Sequence, residues 1–97
     1  MQTKIYQINT DRDVNRVKFR GYKDLPVQFD PSIYDLVYEG DLEASDLEDL
    51  FALLNVGAKP EGYRGHSLSV SDVVVNEKGA FFCDNVDWKR IEFRKEA

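Results

Sequence analysis

Residues 36–55 read LVYEGDLEASDLEDLFALLN, and the spacing of their apolar positions changes halfway. From Leu36 to Glu43 the side chains alternate, with Leu36, Tyr38 and Leu42 on one side and Val37, Glu39, Asp41 and Glu43 on the other. A period of two is that of a half-buried strand. Its outer side would carry three carboxylates, each ~7 Å from the next. From Ser45 to Asn55 the period becomes helical, because Leu47, Leu50, Phe51 and Leu54 fall at i, i+3, i+4 and i+7. Ser45 and Glu48 have the spacing of a capping box. Asp46, Glu48 and Asp49 crowd the first turn, where the helix dipole favours anions. Gly57 is placed to stop the helix.

Working outward from this strand and helix, the rest reads mainly as strands and turns. On the N-terminal side, Lys4–Ile8 is a short strand, and Thr10 is placed to cap a brief helical turn. Val17 and Phe19 alternate with Lys18 and Arg20, which predicts a second strand. Residues 21–31 are rich in turn formers, and Asp30 before Pro31 suits the start of another short turn. On the C-terminal side, residues 59–65 form a loop. Val73–Val75 and Ala80–Cys83 read as strands joined by a hairpin over Asn76–Gly79. Residues 84–87 turn again, and Lys89–Arg94 closes the sheet with Ile91 and Phe93 inward. The expected fold is α+β: a single domain over residues 1–97, with one main helix packed on a mostly antiparallel, twisted sheet.

The 97 residues are 42% hydrophobic and 32% charged, which suits a folded soluble chain rather than a disordered one. No apolar run approaches the ~20 residues of a membrane span, and no signal peptide is evident, so a cytoplasmic location is expected. One Cys and one His exclude a disulfide framework and any zinc site built from those residues alone. Six scattered glycines show no phosphate-loop spacing, and nothing calls for a cofactor or metal.

Charge is uneven along the chain. Residues 1–23 hold six basic and two acidic groups; residues 24–58 hold nine acidic and no basic ones; residues 59–97 balance, giving a net −5. The acidic block includes Glu39, Asp41, Glu43, Asp46, Glu48 and Asp49. It argues against direct nucleic-acid binding, which needs clustered Lys and Arg, and for a basic protein surface as partner. The plainer explanation is a solvated face and ordinary helix-start chemistry. Lys18, Arg20 and Lys23 are the residues that would contact phosphates if the basic N-terminal part did so.

Candidates for catalysis are few. His66 adjoins Ser67, but neighbours along a strand point to opposite faces. Cys83 ends an apolar run, where a thiol behaves as a small buried side chain. Tyr63 and Trp88 flank loops and are expected to cover the sheet edge. The segment Gly65-His66-Ser67-Leu68-Ser69-Val70-Ser71-Asp72 reads as a strand running into a turn, with serine hydroxyls and Asp72 satisfying nearby backbone groups. Its functional alternative is a small polar surface for a partner.

Four pieces together resemble the YodL-like domain: Ile5–Asn9 leading to Val17-Lys18-Phe19, Ile33–Gly40, Gly65–Val74, and Phe81–Asp84. The most specific is the Ser-Leu-Ser-x-x-Asp-Val-Val run at Ser67–Val74 before an aromatic hairpin. Where many relatives continue with Gly-Phe, this chain has Asp87-Trp88. The resemblance implies a setting rather than a chemistry: Firmicutes conjugative elements and phages, with no agreed catalytic residues. Small acidic proteins in that setting often block restriction or CRISPR nucleases by occupying a basic groove. Duplex DNA carries about one charge per ~1.7 Å, so six carboxylates are too few to mimic a long groove and suit partial occupation. The expected function is therefore a non-enzymatic acidic binding protein that inhibits a nuclease. The alternative is an accessory module that docks on conjugation or replication proteins.

Overall fold

A computed structural model describes residues 1–56 and 59–94. Five strands form one sheet: β1 (Gln2–Ile8), β2 (Tyr34–Asp41), β3 (Val73–Asn76), β4 (Gly79–Cys83) and β5 (Trp88–Ile91). Their order is β2-β1-β3-β4-β5, and every neighbouring pair is antiparallel. With one helix, α1 (Leu47–Asn55), the fold is α+β. Three single-turn 3-10 helices, Thr10–Arg12, Tyr22–Asp24 and Pro31–Ile33, punctuate the long connection from β1 to β2.

The sheet buries apolar side chains on both faces, as its period of two requires. Ile5, Val37, Leu42, Leu68 and Val74 share one buried cluster with Leu50 and Leu54 of α1. Ile8, Val17, Tyr34, Val73, Ala80 and Phe82 make the other, joined by half-buried Tyr22, Phe29 and Phe93. Burying those rings stabilises the second face by roughly 1.5–3 kcal/mol for each fully buried side chain. The hairpin is as expected: Asn76 pairs with Gly79, whose φ of +132 is open to glycine.

Several expectations are corrected. β2 begins two residues earlier than predicted and ends at Asp41, leaving Glu43 beyond the strand. The alternation is also interrupted: Ile5 pairs with Tyr38 but Tyr6 pairs with Leu36, so Val37 is an extra residue on β2. This bulge turns Val37 inward, and it is buried in the α1 cluster rather than facing out with Glu39. The helix starts at Leu47, and its N-cap is Asp46, not Ser45. The expected stop at Gly57 lies outside the described residues. Residues 17–20 are not a strand. Arg16 and Phe19 have φ of 54 and 69, and the Asp13 carboxylate accepts from the N–H groups of Val17 and Lys18 at 2.9 and 3.0 Å. Those bonds give the backbone an alternative to a ladder. At Thr10–Arg12 the cap is Asn9 rather than Thr10, while Asp30 caps Pro31–Ile33 as expected. Residues 65–72 are irregular rather than extended, and the closing strand ends at Ile91, with Phe93 still packed inward.

Candidate functional site

Two ends of β1 hold the groups of interest. At its start, Gln2 pairs with Asp41 and Lys4 with Glu39. All six carboxylates singled out from the sequence are exposed. Asp41 accepts from the Met1 ammonium at 2.9 Å, and Glu39 lies 3.9 Å from Lys4. Asp46 accepts from Asp49 N–H at 2.8 Å, and Asp49 in turn accepts from the N–H and hydroxyl of Ser45. The box expected of Ser45 and Glu48 is thus built one residue later, by Asp46 and Asp49. Met1, Asp46 and Glu48 line one shallow groove with Lys78 and Arg90. Glu43 and Glu48 form no ion pair among the described residues. The acidic end is therefore part cap chemistry and part unneutralised surface.

Beyond the middle of β1, polar groups go inside. Gln7 is buried, and its amide nitrogen donates to the His66 carbonyl at 2.9 Å and to Asp72 Oδ2 at 3.0 Å. Its amide oxygen accepts from His66 N–H at 3.1 Å. Gly65 makes this possible, since a Cβ there would lie 2.0 Å from Gln7 Oε1. Tyr63 donates to the His66 carbonyl at 2.8 Å and stacks on Tyr38. Asp72 Oδ2 also accepts from Ser69 N–H at 2.8 Å, while Oδ1 is buried with no partner among the described residues. Burial pushes the Asp72 carboxyl up to about 7, against the pull of its bonds to Ser69 and Gln7 and the charge of Lys18. Burial likewise pushes the Tyr63 hydroxyl up to about 12.

Ser71 links this hub to the basic loop. It is fully buried with φ of 83, and its carbonyl accepts from the Tyr34 hydroxyl at 2.6 Å. Its own hydroxyl accepts from Phe19 N–H at 2.9 Å. A φ near +69 is a true outlier for a bulky residue and costs of order 1–3 kcal/mol. Phe19 is nonetheless 56% exposed, with Lys18 Nζ 5.2 Å from its ring centre and the His66 ring at 5.6 Å. A strained backbone thus carries a partly exposed aromatic ring.

The sequence of this chain matches the model of the YodL-like domain over residues 2–93. It belongs to the YodL-like domain family. The match takes in all five strands and α1. No curated protein matches the chain, and no solved structure does.

Other sequence candidates in this YodL-like domain fall into place. Cys83 is buried at the end of β4, and burial pushes its thiol up to about 12. His66 Nδ1 lies 2.6 Å from the Ser67 carbonyl and 3.3 Å from Gln7 Nε2, and the ring Nε2 is buried with no partner among the described residues. Tyr63 and Trp88 both pack against the α1 cluster. The Ser69 and Ser71 hydroxyls satisfy backbone groups, as expected, while that of Ser67 accepts from Lys59 Nζ at 3.2 Å. Sequence reading missed Gln7 as the centre of the hub and Phe19 as a displayed ring. The unusual serine run was the available signal for the first; alternation with basic residues disguised the second as a strand.

Proposed function

We propose that this YodL-like domain is a non-enzymatic binding protein whose acidic end docks on a basic protein surface. In the mobile-element setting that the family resemblance implies, that surface belongs to a host nuclease of the CRISPR or restriction type, and docking inhibits it. The observation that carries the reading is the exposure of Glu39, Asp41, Glu43, Asp46, Glu48 and Asp49 around one end of β1–β2 and the start of α1. Among the described residues, the only Lys or Arg paired with any of them is Lys4, on Glu39, and both partners are about half exposed, so that pair is weak. The end thus keeps a negative field that steers a cationic partner. The low-reactivity thiol of Cys83 supports a binding role over nucleophilic catalysis.

Plasmid transformation tests this. Cells carrying a type II CRISPR system or a restriction system directed at the plasmid would be compared with and without the protein. Rescue is expected in one background and should be lost when Glu39, Asp41 and Glu43 are all replaced by Lys. These three are chosen because Asp46 and Asp49 also hold the helix start. Rescue by the triple variant equal to the parent would remove the acidic-end mechanism. No rescue in either background would favour the accessory docking module.

A further inference from the structure

We propose that the loop from Arg16 to Arg20 binds a short single-stranded nucleic acid, with a base stacked on Phe19 and phosphates held by Arg16, Lys18 and Arg20. The first support is the display of Phe19. Phe19 is 56% exposed although its backbone is in the left-handed region, and the hydroxyl of fully buried Ser71 accepts from its N–H; Lys18 Nζ and the His66 ring touch only part of the ring. A ring needed only for packing would have no reason to stay out. An exposed aromatic face is what an unstacked base requires.

The second support is the state of the cations. Arg16, Lys18 and Arg20 form no ion pair among the described residues. Asp13, three residues before Arg16, accepts from the N–H groups of Val17 and Lys18, and Lys18 Nζ donates to the Thr10 hydroxyl at 3.3 Å. Arg20 donates from Nε to the Arg16 carbonyl at 2.9 Å, which fixes its stem and leaves its terminal nitrogens without a hydrogen bond among the described residues. Cations flank the ring on both sides in the chain, the interleaving that suits a base between phosphates.

The acidic block had argued against nucleic acid, but its six exposed carboxylates between Glu39 and Asp49 sit elsewhere. Asp41 pairs with Gln2 at the start of β1, whereas Phe19 is anchored through Ser71 and Tyr34 to Ile8 at its end. Six strand steps separate Gln2 and Ile8, roughly 20 Å at ~3.3 Å per residue. That is more than two Debye lengths of ~8 Å at physiological salt, so the acidic end does not cancel the basic loop.

Fluorescence anisotropy with labelled short oligo-dT and oligo-rU tests the proposal. Binding is expected at low salt, with log K falling against log salt at a slope of about −2 for three phosphates. Phe19→Gly should weaken binding about tenfold or more while leaving thermal stability unchanged or higher, because glycine accepts this φ without strain. Phe19→Trp should retain binding, and the double variant Arg16→Glu, Arg20→Glu should lose it. The triple Lys variant of the acidic end should bind at least as well as the parent, which separates this test from that of the proposed function. The proposal is overturned if neither strand binds, or if Phe19→Gly binds like the parent. Phe19-dependent binding to phosphatidylserine vesicles without oligonucleotide binding would also overturn it and assign the loop to membranes.

Discussion

The two ends of β1 solve opposite problems with similar residues. At the acidic end, carboxylates stay in water and do local work: Asp46 and Asp49 close the start of α1, and Glu39 meets Lys4 across the pair. At the other end, a carboxylate and an amide are taken inside, where Asp72, Gln7 and the backbone of residues 66–71 depend on one another. The first arrangement is modular, and any one carboxylate can be lost at small cost. The second is cooperative, because each buried group is a partner of the next. Basic residues and one strained aromatic stand above it. The molecule thus displays a tolerant acidic surface at one end and an exacting scaffold under a basic loop at the other.

The sharpest way to break this contrast is Gln7→Leu. The change strands the His66 N–H and takes one of two partners from both Asp72 Oδ2 and the His66 carbonyl, which keep Ser69 N–H and the Tyr63 hydroxyl, and should cost about 3–5 kcal/mol in denaturant unfolding. A loss below about 1 kcal/mol would mean that the hub is not cooperative. Next in size is the pH dependence of stability. The folded pKa of Asp72, about 7, lies above its ordinary value of 3.8, so the folded state holds the proton more tightly. The contribution is fully present below about pH 4 and is lost as pH rises to about 7, a fall of a few kcal/mol. Asp72→Asn should flatten that part of the profile; an unchanged slope would show that another group is responsible. At the acidic end, Asp46→Ala removes a cap and should cost about 1 kcal/mol. A cost like that of Gln7→Leu would erase the difference between the two ends.

How much of this was legible follows the same divide. The hairpin from Val73 to Cys83 and the helix after Ser45 rest on local chemistry, namely turn residues, caps and period, and these could be read directly. The capping box was misplaced by one residue because Ser45 and Asp46 both suit the role, and only geometry shows Asp49 reaching back to Ser45. The bulge at Val37 was invisible, since it depends on the register against Tyr6. The false strand at residues 17–20 failed for a tertiary reason: Asp13 and Ser71 capture its backbone N–H groups. Gln7 itself stood out in nothing, because an amide in a strand is ordinarily solvent-facing, and only the serine run pointed to the hub. All six acidic candidates are exposed, and the sequence already assigned Asp46, Glu48 and Asp49 to the helix start, but not Asp46 as its N-cap.

The central claim is that the acidic end recognises a basic protein surface. The most direct measurement is the affinity of the protein for the nuclease identified by plasmid rescue as its proposed target, across a salt series. The parent and the Glu39→Lys, Asp41→Lys, Glu43→Lys variant would be compared. The account predicts that parent binding weakens as salt rises and that the variant binds at least tenfold more weakly at low salt. Equal affinity of the two proteins, independent of salt, would contradict it.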